Sequence, residues 1–189
     1  MQYDKQITAR ILGDKSAYGR KERDFYPTPE DVTQALIDYL SIPKNSVIWE
    51  PACGNGALSK VLKDNQYQVI ETDIIKGQDF LTCDDVKCDW VITNPPFSLS
   101  EQFIKRCALT GKPFALLLKS QYWHAKSRMK LFKSVCPSHV LPLTWRPDFL
   151  AGTRGKGSPF MDMIWVVWCN SKQREYAKYV PLERPKTRK

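Results

Sequence analysis

The tetrapeptide Asn94-Pro95-Pro96-Phe97 carries the most specific chemistry in this chain. It follows the apolar run Asp89–Thr93 (DWVIT), which reads as a buried strand, so it stands where open α/β sheets bind ligands. Pro95 biases Asn94 away from the α region, and Pro96 does the same to Pro95. The stiffened chain then offers two fixed acceptors, the Asn94 side-chain oxygen and the Pro95 carbonyl. Both can point at one NH₂ group, with Phe97 supplying an aromatic face beside it. An exocyclic amine on a purine is a poor nucleophile, because its lone pair is delocalised into the ring. Two acceptors on its hydrogens favour a pyramidal nitrogen with a free lone pair, and they stabilise the positive charge that develops on attack. No strong base is needed beforehand, since the nitrogen becomes acidic once alkylated. The plain alternative is a diproline loop that closes a strand.

A second constellation precedes it. Ser46–Glu50 (SVIWE) predicts a short strand running into Pro51-Ala52-Cys53-Gly54-Asn55-Gly56, and Ala57–Asn65 predicts the helix that follows. Gly54 and Gly56 let the backbone pass close to a ligand, and the helix N-terminus adds a positive dipole. The loop lacks the three glycines of the dinucleotide fingerprint and the GK[ST] of a P-loop. The next strand, Gln68–Asp73, ends in Glu71 and Asp73, where a carboxylate can accept both hydrogen bonds of a ribose diol. Asp79 can accept from an adenine amino group while Phe80 packs on the ring. In strand order, these features point to an adenosine-containing cofactor.

The elements that must position these residues alternate. Thr28-Pro29-Glu30-Asp31 predicts a helix start, with Thr28 as cap, Pro29 at the first helical position and Asp31 completing a T-x-x-D box. Val32, Ala35, Leu36, Tyr39 and Leu40 continue at helical spacing, and Pro43 ends the segment. Phe114–Leu118 predicts a fourth strand, and Leu99–Leu109 and His124–Val135 predict helices. Val140–Thr144 and Ile164–Trp168 are candidate late strands joined by the Gly-rich loop Ala151–Pro159. The pattern predicts an α/β fold with a mostly parallel sheet. The expected organisation is an irregular polar arm over 1–23, a single catalytic domain over 24–169 and a frayed basic tail over 170–189.

Composition narrows the function. At 21.8 kDa, 42% hydrophobic and 26% charged, the chain suits one globular domain. No apolar run approaches the ~18 residues of a membrane span, and the N-terminus lacks a signal-peptide core, so a cytoplasmic protein is expected. Six cysteines read as thiols, and two histidines without a CxxC make a metal site improbable, so none is expected. The net charge of +9 is unevenly spread: residues 24–118 carry −5, whereas 119–160 hold eight cations against one carboxylate. The later segment therefore suits a polyanion, most simply nucleic acid, although a solubilising surface gives the same count.

Glu50-Pro51-Ala52-Cys53-Gly54-Asn55-Gly56 and Asn94-Pro95-Pro96-Phe97, preceded by Tyr26-Pro27-Thr28-Pro29, resemble the motifs of S-adenosylmethionine-dependent DNA N6-adenine methyltransferases, in particular small phage-type members. The resemblance spans residues 24–118 and extends weakly to Trp168. It implies a Rossmann-like class I methyltransferase fold, with helices on both faces of the sheet and a late antiparallel hairpin. It also implies S-adenosylmethionine as cofactor and DNA as partner, with RNA or a protein glutamine as rival substrates and a catalytically silent methylase subunit as a third reading. Tyr26 and Thr28 would touch the methionine end of the cofactor. Glu50, Ala52, Gly54 and Gly56, with Cys53 in the same loop, would line its amino-acid and sulfonium portion. Asp73 would hold the ribose, with Glu71 as the alternative, and Asp79 and Phe80 would recognise the adenine. Asn94, Pro95 and Phe97, with Pro96 in the motif, would hold and stack the target base. Phe149 would pack the flipped base or belong to the core. Larger members carry a separate recognition domain, so recognition here would fall to Lys119, Tyr122, Trp123, Lys126, Arg128, Lys130, Arg146, Arg154 and Lys156. Low or short-site sequence specificity is expected, and a monomer or weak dimer.

Overall fold

The computed structural model describes residues 26–149, 159, 161–169 and 175–186. The expected arm, 1–23, lies outside them, as do Arg154 and Lys156. Short apolar runs form strands β1 (Val47–Glu50), β2 (Gln68–Glu71), β3 (Trp90–Thr93), β4 (Phe114–Lys119), β5 (His139–Pro142), β6 (Met163–Trp168) and β7 (Lys178–Tyr179). They make one sheet in the order β2-β1-β3-β4-β6-β5-β7. Neighbours from β2 to β4 are parallel, and β6 runs antiparallel to both β4 and β5.

Alternation along each strand sends side chains to two cores. On one face Ile48, Ile92, Leu117, Trp165 and Val167 meet Val32 and Leu36 of α1 (Glu30–Tyr39) and Leu58 and Leu62 of α2 (Ala57–Asp64). On the other, Trp49, Val91, Leu116 and Val166 meet Phe103 and Ile104 of α3 (Ser100–Leu109) and Leu131 of α4 (Met129–Ser134). This is the expected fold class: a mostly parallel sheet, helices on both faces and a late antiparallel hairpin.

The strand order creates the site. The chain leaves β1 through α2 to β2 on one side, then returns to place β3 on the other side of β1. The loops after β1 and β3 therefore diverge from adjacent strand ends and leave a crevice between them. They are the glycine loop and the Asn94 motif.

Three local expectations are corrected. Pro29, not Thr28, occupies the N-cap position of α1, and no side chain caps that end. The Thr28 hydroxyl is drawn away by a tertiary contact described below. The helix expected over 124–135 is broken at Ala125, whose backbone is extended (φ −95°, ψ 125°), so α4 begins only at Met129. The break lets Arg128 fold back over Tyr122. Finally, the segment expected to fray contains β7, which pairs with β5. Val180 and Leu182 donate backbone N–H groups to the carbonyls of Val140 and Pro142, at 3.0 and 2.8 Å. The buried Leu182 side chain supplies the apolar anchor.

Candidate active site

Glu50 ends β1, is 2% exposed, and accepts a hydrogen bond from the Ser59 hydroxyl of α2. Burial pushes its pKa up to about 8; the Ser59 hydrogen bonds oppose the rise, and the charges of Glu71 and Asp73 add to it. The loop then turns through Gly54 (φ 51°) and Gly56 (φ 81°), both in the left-handed region that favours glycine. A Cβ at Gly56 would meet only Glu71 Oε1, at 3.5 Å, so the constraint there is the backbone angle rather than crowding.

Asp73 clamps this loop to the end of β2. Its Oδ2 accepts from Gly54 N–H at 2.7 Å and its Oδ1 from Ile75 N–H at 3.0 Å. Each oxygen keeps a further lone pair, so the clamp leaves capacity for a ligand hydroxyl. Glu71 is paired with Lys63 at 2.7 Å, and that hydrogen bond lowers its pKa. The buried Cys53 Sγ accepts from Lys76 Nζ at 3.1 Å; burial raises the thiol pKa and Lys76 opposes the rise. Ala52 is half-buried against the second core. Asp79 Oδ1 accepts from Leu81 N–H at 2.9 Å. Phe80 is 2% exposed, with its ring 5.0 Å from that of Trp49 and 4.9 Å from that of Phe103. It is a core residue and offers no face to a cofactor ring. Sequence reasoning did not mark Ser59 or Lys76. Neither carries a spacing signal; each meets the loop only after its own element packs.

The Asn94 amide is oriented from the other side. Its Nδ2 donates to the Tyr26 carbonyl at 3.3 Å and to the Thr28 hydroxyl at 3.1 Å. A carbonyl needs a donor, so the nitrogen must face Tyr26 and the oxygen must face away. Asn94 Oδ1 is buried and has no hydrogen-bond partner among the described residues. Tyr26 and Thr28, expected at the cofactor, are placed against Asn94 and position it. The Tyr26 ring lies 6.0 Å from Phe97, near parallel, and 6.1 Å from Phe149, edge-on. Three aromatics far apart in sequence thus gather beside Asn94. Phe149 is also buried, which is the core setting of the two expected for it. Pro95 is buried and Pro96 half-buried.

The basic segment divides. Lys119 ends β4 with its ammonium 4.5 Å from the centre of the Phe97 ring. Tyr122 is buried, capped by the Arg128 guanidinium at 3.7 Å, and its carbonyl accepts from Arg128 Nη1. Tyr122 is therefore not a stacking surface, and Arg128 is committed to it. Arg146 pairs with Asp162 at 2.8 Å on the surface. Lys126 and Lys130 are exposed, and Trp123 is 38% exposed. Among the described residues no group of His, Cys, Asp or Glu could hold a metal ion, and no helix is long and apolar enough to cross a membrane.

No protein-family model and no curated protein matches the sequence. Solved structures do match in shape. A type I restriction-modification methyltransferase subunit from Streptococcus thermophilus superposes with a TM-score of 0.59 at 13% identity, over 82% of this chain and 47% of that one. The fold is a Rossmann-like methyltransferase fold. A Listeria monocytogenes chain assigned as a class I S-adenosylmethionine-dependent methyltransferase gives 0.57 at 16% identity, over 93% and 71%. The 23S rRNA methyltransferase ErmE gives 0.54 at 12%, over 79% and 71%. The chain thus spans about half the length of the Streptococcus subunit.

Proposed function

We propose that this chain transfers a methyl group from S-adenosylmethionine to the exocyclic N6 amine of adenine in DNA. The observation that carries the reading is the buried Asn94 Oδ1, which has no hydrogen-bond partner among the described residues, while the amide nitrogen is fixed by donating to acceptors on Tyr26 and Thr28. A buried acceptor without a partner is costly, and an incoming NH₂ group satisfies it. The glycine loop fits the cofactor. Gly54 and Gly56 allow close backbone approach, Glu50 offers a carboxylate for an ammonium, and the exposed Ile74 and Ile75 lie next to Asp73. When bound, the cofactor supplies an electrophilic methyl group on a sulfonium.

The chain's own residues then act on the amine. Asn94 Oδ1 and the Pro95 carbonyl accept its two hydrogens, which frees the nitrogen lone pair and stabilises the charge that grows on nitrogen. The bound cofactor would supply the methyl carbon and depart as a neutral thioether, and the acidified nitrogen would then lose its proton to water. Tyr26, Phe97 and Phe149 hold the base plane. A duplex adenine must leave its stack to reach Asn94.

Labelled methyl incorporation into DNA, RNA and protein, measured in parallel and followed by nucleoside analysis, tests the proposal. The expected product is N6-methyladenine in DNA. Asn94→Ala should lower the rate by about 100-fold or more while cofactor binding persists. Label in RNA or protein alone, or near-normal turnover by folded Asn94→Ala, overturns it.

A further inference from the structure

Arg106 stands in the last turn of α3, the helix that opens directly after the Asn94 motif, and its guanidinium reaches across to the segment that follows β2. Its Nε donates to the Phe80 carbonyl at 3.2 Å and its Nη2 to the Cys83 carbonyl at 2.9 Å. The same Nη2 meets Asp85 Oδ1 at 2.6 Å. The guanidinium carbon lies 5.5 Å from the centre of the Phe80 ring, and the ring of Phe103, one turn earlier on α3, lies 4.9 Å from it. One helix thus grips Phe80 by both its ring and its carbonyl. The Arg106 side chain is 16% exposed, whereas that of Asp85 is 52% exposed. The ion pair is therefore the minor part of the contact, and the two carbonyl bonds are the larger.

The grip fixes the residue before Phe80. Asp79 opens a turn that is closed from within: Thr82 and Cys83 donate their N–H groups to its carbonyl at 3.1 and 2.8 Å, and Leu81 N–H donates to its Oδ1 at 2.9 Å. Cys83 is held twice, by its N–H within the turn and by its carbonyl on Arg106. The half-buried Asp79 side chain therefore takes its direction from a turn that is anchored at both ends. A carboxylate has two oxygens and about four lone-pair sites, so the bond to Leu81 does not exhaust it. The anchor needs an arginine. Two carbonyls three residues apart are met by two nitrogens of one rigid plane, which a single ammonium on a flexible stem does not copy.

We propose that Arg106 is a positioning residue for cofactor recognition, holding the 79–85 turn so that the Asp79 carboxylate accepts from the exocyclic amine of the cofactor's adenine. The proposal rests on the cofactor reading above and adds to it the residue that aligns its adenine end. It also links that end to the reaction centre. The Ser100 hydroxyl, at the start of α3, donates to the Phe97 carbonyl at 3.0 Å, so one helix holds the Asn94 motif at its first turn and the Asp79 turn at its last.

The test is calorimetric titration with two probes, S-adenosylhomocysteine and its deaminated form, in which a carbonyl oxygen replaces the adenine amine. Wild type should bind the first about 10-fold or more tightly than the second, because an amine donates to a carboxylate and a carbonyl oxygen is repelled by it. Arg106→Lys keeps a charge opposite Asp85 and loses the fork. It should bring the ratio of the two affinities close to one, through weaker binding of the amine form. Arg106→Gln, which keeps an amide donor and drops the charge, is the second variant and should give the same loss. Asp79→Ala should remove the preference as well, and Arg106→Lys added to it should change the ratio no further. Asp85→Ala should leave the ratio at the wild-type value. A purely structural role would lower the melting temperature, or both affinities alike, and leave the ratio unchanged. An unchanged ratio in folded Arg106→Lys or Arg106→Gln overturns the proposal and leaves the cofactor reading standing, as does a preference that survives Asp79→Ala. A preference lost in Asp85→Ala assigns the effect to the ion pair and overturns the carbonyl account. Wild type that binds neither probe overturns the cofactor reading and this proposal with it.

Discussion

Glu50 is a carboxyl group kept from water at the end of β1, and its neighbours Glu71 and Asp73 are also acidic. Folding therefore favours its protonated form, with the pKa raised to about 8 from an ordinary value of 4.5. The sign of the linkage follows. Stabilisation from the neutral carboxyl is fully present below pH 4.5 and is lost as pH rises through 8, by an amount on the order of a few kcal/mol. Glu50→Gln mimics the protonated form, so its melting temperature should be flatter between pH 5 and 8 and higher than wild type above pH 8. The same substitution should weaken cofactor binding, because the carboxyl can give up its proton to answer an ammonium and an amide cannot. Thermal melts across pH and calorimetric titration of the cofactor check both halves; parallel pH profiles for the two proteins would remove Glu50 from this role. Asn94 follows a comparable logic without titration. Its nitrogen is taken by Tyr26 and Thr28, which leaves its oxygen for the contact proposed with the target amine.

Among the elements, β7 decides how the late part of the sheet is closed. Two ladder bonds from Val180 and Leu182 to β5 and its edge, the Leu182 side chain in the first core, and the Arg184–Asp31 pair tie the segment back to α1. The ion pair is largely exposed on its arginine side and contributes little. Leu182 contributes most, because its burial removes a whole aliphatic side chain from water. Leu182→Ala should cost about 2–4 kcal/mol, read as a lower urea midpoint with an unchanged slope. A frayed segment would give no change in midpoint. The interrupted helix before α4 shows the same principle in reverse. Arg128 covers Tyr122 only because Ala125 leaves helical geometry, so a tertiary stack overrides the local pattern.

For the molecule as a whole, charge and topology agree. The acidic stretch 24–118 contains both loops of the crevice, while exposed cations follow β4 along 126–133. On the proposed nucleic-acid reading, a polyanion would be repelled by the first and drawn by the second, which would orient its approach before any base is read. Duplex DNA affinity should fall with salt by a logarithmic slope of about −0.9 per neutralised phosphate. Charge reversal at Lys126 and Lys130 should flatten that slope and weaken all sequences alike. Binding that ignores salt would contradict the electrostatic account.

The first six strands, the glycine turn and the Asn94 motif were legible in the sequence, because each is written in neighbouring residues: apolar runs, paired prolines, glycines at a sharp bend. Other features depended on contacts across the chain. The T-x-x-D signal at Thr28 suggested a helix cap, yet its hydroxyl serves Asn94, 66 residues away. Phe80 follows Asp79 as a ligand-facing aromatic would, but the second core claims its ring. Tyr122 lies among cations as a stacking residue would, but Arg128 seals it. Spacing determines which way a backbone can run and which residue types recur on one face. Only the folded chain determines which partner satisfies a hydrogen-bonding group, because buried donors and acceptors are paired through space and the nearest suitable atom rarely lies nearby in sequence.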